Sequence, residues 1–389
     1  MNINIILLGI VSFLTDISSE IILPILPFFI TALGGTGLAI GLIGGISDAL
    51  ASILKVFSGY LSDRIGKRRT IVASGYFISA MSKFILPYSP NWGFVLFARM
   101  LDRVGKGIRT SPRDAMIADY SKKSVRGKAF GFHRALDTAG AVIGSIIALI
   151  LIYFYKLNEY TLIFVYKKIF LLAAFIAFLA LVPLSFTREP KLTPTKINLH
   201  ALLGEFNFFT LIASIFSVSN FSYMFYILRA QQYFLKKFSV LNATGVTVGL
   251  YILFNIIYAG LAFPSGKLSD KIGRKSSLLI GYMLYFVTAS GFAFADSLPV
   301  FVTLFIIYGA AFAFIEGIQR ALAADLAVRH GTGLGVFHMS IGIASFTGSI
   351  IAGILWQFTA PKFTFIFGAI VSLIAILLFT FGKSESSKV

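Results

Sequence analysis

Twelve apolar stretches, most of them 20 or more residues long and separated by short polar segments, dominate this 389-residue chain. A helix rises about 1.5 Å per residue, so about 20 such residues cross a hydrocarbon core of about 30 Å. Backbone amides and carbonyls in lipid must find partners within their own segment or in a closed barrel. Barrel strands would alternate polar and apolar over about ten residues, and these runs do not alternate. The expected fold is therefore an all-α integral membrane protein. The spans fall roughly at 4–32, 38–61, 70–88, 92–119, 128–155, 162–186, 206–233, 243–266, 276–296, 299–326, 334–358 and 363–382. Only 13% of residues are charged, against about 25% in soluble domains.

Span four breaks the pattern. Within Arg99–Asp119 it carries Arg99, Asp102, Arg103, Lys106, Arg109 and Arg113. At about 100° per residue these six fall within an arc of roughly 120°. An ionisable group deep in a bilayer costs on the order of 3 kcal/mol unless it meets a cavity or a partner. The stripe must face water or protein, and the other spans must supply that environment. Arg99, Asp102 and Arg103 are expected nearest the midplane, with Lys106 about 4–5 Å closer to the cytoplasm and Arg109 and Arg113 approaching the surface. Two readings stay open. Guanidinium forks suit a carboxylate or phosphate, which makes Arg99, Asp102, Arg103 and Lys106 candidate solute ligands. Alternatively the stripe is a buried network that holds the bundle and its gate.

The net charge of +18 sits mostly in short loops, where it sets orientation rather than marking a nucleic-acid surface. Arg64, Lys67, Arg68 and Arg69 lie between spans two and three; Lys122, Lys123, Arg126 and Lys128 between four and five; Lys267, Lys271, Arg274 and Lys275 between eight and nine. Those loops are expected in the cytoplasm, and an even number of spans places both termini there. The first apolar run lacks a charged leader and is too long for a cleaved signal, so it reads as a retained span. Residues 188–205 contain two prolines and several charges and read as a cytoplasmic linker. The expected domains are a six-helix bundle over 1–187 and a second over 206–389. With no cysteine in the chain, disulfides and thiol chemistry are excluded.

The halves repeat. Gly59-Tyr-Leu-Ser-Asp63-Arg64-Ile-Gly66-Lys-Arg68 recurs 207 positions later as Gly266-Lys-Leu-Ser-Asp270-Lys-Ile-Gly273-Arg274-Lys. Asp119 recurs as Asp325, 206 positions on, and Gly144-Ser-Ile-Ile recurs at Gly348, 204 positions on. Three matches at nearly one offset mean duplication, with two halves of the same orientation. The repeated Gly-x-Leu-x-Asp loop resembles the signature of the major facilitator superfamily. Arg99, Gly105 and Gly107 resemble its span-four pattern, with Asp102 and Arg103 where Gln and Gly are usual. The Arg126-Gly-Lys-Ala-Phe-Gly run and the prolines Pro24 and Pro27 are similar to those of its bacterial members. The resemblance implies two bundles rocking about a site lined by spans one, four, seven and ten, with Gly59, Asp63, Arg64, Gly66, Arg68, Asp119, Arg126, Gly266, Asp270, Gly273 and Arg274 as gate elements. Span five, Asp137-Thr-Ala-Gly140-Ala-Val-Ile-Gly144-Ser, departs from the Gly-Pro-x-x-Gly-Gly element of proton-driven drug exporters.

Proton carriers are sought among intramembrane carboxylates. Asp16 and Glu20 lie one turn apart on span one, and Asp48 lies mid-span in span two; each is a coupling candidate or half of a structural ion pair. His133 and Asp137 form an i,i+4 pair near the cytoplasmic end of span five, where a gating or structural role fits better. In the second half, Asn220 and Tyr223 could read a polar part of a solute, or simply pack. Glu316 and Arg320 are spaced for a local gate bond. No phosphate-cradling Gly-x-x-x-x-Gly-Lys-Ser/Thr loop or metal-ligand spacing appears.

The expected function is secondary transport of a small solute across the cytoplasmic membrane by a monomer, without cofactor and not enzymatic; the paired carboxylates of span one favour proton coupling, and the stripe favours an anionic solute. Export of lipophilic compounds is the alternative, and a non-transporting receptor or assembly partner the remote one.

Overall fold

A computed structural model describes residues 2–121, 126–156, 158, 161–190, 208–326 and 330–382. The described residues are helical almost throughout. In the first half the helices are α1 (Ile3–Ile22), α2 (Leu26–Ala32), α3 (Gly37–Ile65), α4 (Arg68–Ile85), α5 (Trp92–Tyr120), α6 (Arg126–Phe154), α7 (Leu162–Leu179) and α8 (Leu181–Ser185). In the second they are α9 (Phe208–Ser219), α10 (Met224–Phe234), α11 (Val240–Ile272), α12 (Arg274–Phe294), α13 (Leu298–Leu326), α14 (His330–Phe358) and α15 (Pro361–Phe381).

Among the described residues, eleven helical stretches are long and apolar enough to cross a membrane. The exception is α5, which is 29 residues long but carries the charged stripe. Three expected spans are interrupted. Span one breaks into α1 and α2 at Leu23–Ile25, where Pro24 cannot donate a helical hydrogen bond. Span six divides into α7 and α8, and span seven into α9 and α10 around Asn220–Tyr223. Pro112 and Pro264, by contrast, lie inside α5 and α11, which continue through them.

The helices gather into two compact units. One comprises residues 1–35, 50–198 and 237–248; the other comprises 36–49, 199–236 and 249–389. In the first, α1 packs along α6 and α4 along α5; in the second, α12 packs along α13 and α15, and α9 against α14 and α15. The duplication is visible in the backbone. A Cβ on Gly144 of α6 would lie 2.5 Å from the carbonyl oxygen of Ile17 in α1, and one on Gly348 of α14 would lie 2.0 Å from that of Val218 in α9. Small residues at these positions let helix backbones approach where lipid offers no hydrophobic drive for association. The turns before α4 and α12 both rest on a glycine with positive φ, Gly66 at 72° and Gly273 at 89°, a conformation that a side chain would strain.

Candidate functional site

The charged face of α5 is organised by its crossing with α4. Gly75 and Gly105 meet backbone to backbone: a Cβ on Gly105 would fall 2.5 Å from the Gly75 carbonyl oxygen. This brings Ser79 and Tyr76 of α4 against the stripe. Asp102 lies between two guanidiniums, 3.2 Å from Arg99 Nη1 and 3.1 Å from Arg103 Nη2. Ser79 Oγ donates to the Asp102 carbonyl at 3.2 Å and accepts from Arg109 Nη1. The Arg109 guanidinium also covers the Tyr76 ring, 4.5 Å from its centroid. Arg99, Asp102, Arg103 and Arg109 are all buried. The Arg109 side chain is enclosed between α4 and α5, which its position along the helix axis does not reveal. Lys106 differs: its residue is exposed, and its ammonium has no hydrogen bond or ion pair among the described residues.

On α1, Asp16 and Glu20 are both half-buried and stand opposite Gly140 and Gly144 of α6. Charged groups on two other helices also surround Asp16: Asp137 on α6, and Lys106, Arg109 and Arg113 on α5. His133 Nδ1 lies 3.5 Å from Asp137 Oδ2, while His133 Nε2 and Asp137 Oδ1 are buried without a hydrogen-bond partner. Arg113 donates to Asp114 Oδ1 through Nε and Nη2, at 3.0 and 2.9 Å, and to Ser12 Oγ at 3.2 Å. The side chains of Asp48, Asp63 and Arg126 lie outside the described residues, as do Lys122, Lys123 and most of the expected linker.

The loops before α4 and α12 form matching ion pairs. Arg68, at the first position of α4, meets Asp119 near the end of α5 at 2.5 Å. Arg274, at the first position of α12, pairs with Asp325 near the end of α13 and donates to the Ala321 carbonyl at 2.6 Å. Arg64 and Asp270 are exposed. Gly59 faces Ser111 of α5, whereas nothing crowds Gly266. In the second unit, Asn220 and Tyr223 lie in the break between α9 and α10, and the Tyr223 ring is 5.8 Å from that of Tyr251. Glu316 accepts from Tyr258 Oη on α11 and pairs with Arg320, closing the expected i,i+4 bond.

Two features escaped the sequence. Lys83, within span three, is buried against α1. The start of the linker is tied down: Glu189 accepts from the Arg69 amide, Arg69 Nη2 donates to Ser185, and Tyr120 donates to Arg188. The only sequence signal was a lone lysine beside Ser79 and Ser82, and an acidic residue after a terminal span. Among the described residues no cluster of three His, Asp or Glu side chains is placed to hold a metal.

A duplicated helical membrane protein with matched ion pairs at the loops before α4 and α12 and charged groups buried within its first unit has the build of a solute transporter. The sequence profile of the Major Facilitator Superfamily matches residues 8–235 and 208–389. An uncharacterized MFS-type transporter of Methanocaldococcus jannaschii is 44% identical over 390 residues, covering 97% of this chain and 94% of that protein. The multidrug resistance protein MdtH of Aeromonas salmonicida is 23% identical over 354 residues, covering 89% and 86%. The crystal structure of the nucleoside transporter NupG superposes with a TM-score of 0.79 at 15% identity, covering 99% of this chain and 100% of that one, a likeness of fold. The chain belongs to the Major Facilitator Superfamily and is a multi-pass membrane transporter, not an enzyme.

Proposed function

We propose that this protein is a secondary active transporter that moves a small anionic solute across the cytoplasmic membrane by alternating access, coupled to protons. The observation that carries the anion is Lys106. It is exposed on the face of α5 that holds the buried Arg99–Asp102–Arg103 cluster, and no described side chain neutralises its ammonium by hydrogen bond or ion pair. Asp102 is the one carboxylate among the six charged residues of the stripe, so the stripe carries more positive than negative groups. Arg99 and Asp102 serve to hold the face in place, and Lys106, with Arg103 behind it, meets the solute. Asn220 and Tyr223 are the polar ligands proposed from the second unit. Asp16 is the proton carrier favoured here, set against Gly140 of α6 with Glu20 one turn along α1. The paired loops with Arg68–Asp119 and Arg274–Asp325 act as gates, joined by Glu316–Arg320. The monomer functions alone, with both termini in the cytoplasm.

Export of lipophilic compounds is the second reading, favoured by the similarity to a protein named for multidrug resistance. A thermal-unfolding screen in mild detergent separates the two, because a ligand of the folded state raises its stability by mass action. The panel sets small carboxylates and phosphates beside lipophilic cations at pH 6 and pH 8. A rise in unfolding temperature with one class of anion, lost in Lys106→Gln, is expected. A rise with lipophilic cations alone would sink the anion reading. Gradient-driven uptake into proteoliposomes then tests transport itself.

A further inference from the structure

Lys83 lies two residues before the end of α4 and is 2% exposed. Its ammonium has three hydrogens and three acceptors, all neutral and all on α1: the Thr15 carbonyl at 3.3 Å, Ser18 Oγ at 3.1 Å and Ser19 Oγ at 2.9 Å. Ser18 Oγ in turn donates to the Ala173 carbonyl of α7 at 2.6 Å, which fixes its lone pair toward Lys83. The three oxygens belong to the last two turns of α1, just before the chain breaks at Pro24. The C-terminal end of a helix carries partial negative charge. In membrane transporters the ends of broken helices, with their carbonyls, are where cations are coordinated. One main-chain carbonyl and two hydroxyls at such an end form the donor set of a monovalent-cation seat.

The duplication shows that the fold does not require a cation here. In the second unit the position 206 residues after Lys83 is Ala289, which is buried. The end of α9 is closed by a phenol instead: Tyr285 donates to the Ser219 carbonyl at 2.6 Å and accepts from Tyr226 at 2.8 Å. A neutral hydroxyl satisfies one break and an ammonium the other. We propose that Thr15, Ser18 and Ser19 form a monovalent-cation seat at the break of span one, in which the Lys83 ammonium is the tethered resident ion. The native protein then holds its α1–α4 joint without drawing on Na⁺ or K⁺ from solution.

Lys83→Ala empties the seat. In purified protein in mild detergent, K83A is expected to unfold several degrees below the wild type. It is expected to recover in a saturable manner with methylammonium chloride or NaCl, but not with choline chloride at equal ionic strength, whose cation is too bulky for the seat. The wild type is expected to be indifferent to the choice of cation. Equal recovery with choline, or no recovery with any salt, overturns the proposal. If K83A does not survive purification, a double-mutant cycle between K83M and S19A replaces it. Coupling between the two substitutions is expected, and S19A costing the same in both backgrounds overturns the seat. These readouts are of stability, so they stand or fall apart from the transport reading above.

Discussion

Arg68 of α4 and Asp119 of α5 are joined at 2.5 Å, and 206 positions along the chain Arg274 and Asp325 are joined in the same way. Each arginine opens a helix that follows a glycine turn, and each aspartate is the last residue but one of the next α-helix. The two pairs differ in exposure. The side chains of Arg68 and Asp119 are 12% and 28% exposed, those of Arg274 and Asp325 are 32% and 52% exposed. Exposed ion pairs contribute about 0–1 kcal/mol. Asp325→Asn is therefore expected to change stability within that range, and Asp119→Asn to cost more. The charge swap Arg68→Asp with Asp119→Arg is expected to recover part of the loss of either single reversal, a recovery read from thermal unfolding of all three proteins.

The buried cluster on α5 gives a sharper contrast. Removing one partner of a buried ion pair leaves an uncompensated charge and costs about 3–5 kcal/mol. Asp102→Asn would leave Arg99 and Arg103 facing each other's charge and is expected to destabilise by this amount. Lys106→Gln, one turn further, removes an exposed ammonium and is expected to stay within about 0.5 kcal/mol. Denaturation in detergent without added solute measures both. Equal costs would place Lys106 in the structural network and remove it from solute binding.

The helix crossings make a third test. At Gly144 and Gly348 the obstacle to a Cβ is a carbonyl oxygen of the neighbouring helix, which cannot swing aside like a side chain. Overpacking of this kind typically costs about 1–3 kcal/mol. Gly144→Ala and Gly348→Ala are each expected to destabilise by that amount. Gly260 of α11 has nothing within 4 Å of its Cβ position. Gly260→Ala should therefore be neutral or stabilising by up to about 1 kcal/mol, because alanine loses less backbone entropy in a helix. A common direction for all three substitutions would argue against close backbone approach as the cause.

The spans and the duplication were legible because both are written as local patterns: apolar runs and repeated loops at one offset. Span one is expected as one run over 4–32, although Pro24 marks where it breaks. The break around Asn220–Tyr223 was not announced, since Ser219-Asn-Phe-Ser-Tyr223 contains neither proline nor glycine. The site was less legible because its contacts cross between helices. Spacing along one helix shows Asp16 beside Glu20, but not that charges from other helices, Asp137 on α6 and Lys106, Arg109 and Arg113 on α5, also surround it. Counting residues along α5 gives only the depth of Arg109; that Ser79 and Tyr76 enclose it follows from the Gly75–Gly105 contact between helices. Lys83 read as one lysine in an apolar run, because all three of its acceptors lie more than 60 residues away on α1.

Glu189 carries the last expectation. Both its carboxylate oxygens accept from the Arg69 amide, at 3.0 and 3.1 Å, at the second position of α4. The first amides of a helix have no partner within it, and a carboxylate there also meets the positive end of the helix dipole. The same short stretch is held by the Arg188 amide donating to Asn4 Oδ1 at 3.0 Å and by Tyr120 donating to the Arg188 carbonyl. Loss of a helix cap costs about 0.5–2 kcal/mol. Glu189→Ala is expected to cost this much and to speed hydrogen exchange at the Arg69 amide. Glu189→Gln, which keeps an acceptor oxygen but loses the charge, should fall between the two. Unchanged exchange at Arg69 in the alanine variant would show that water caps α4 as well as the carboxylate does.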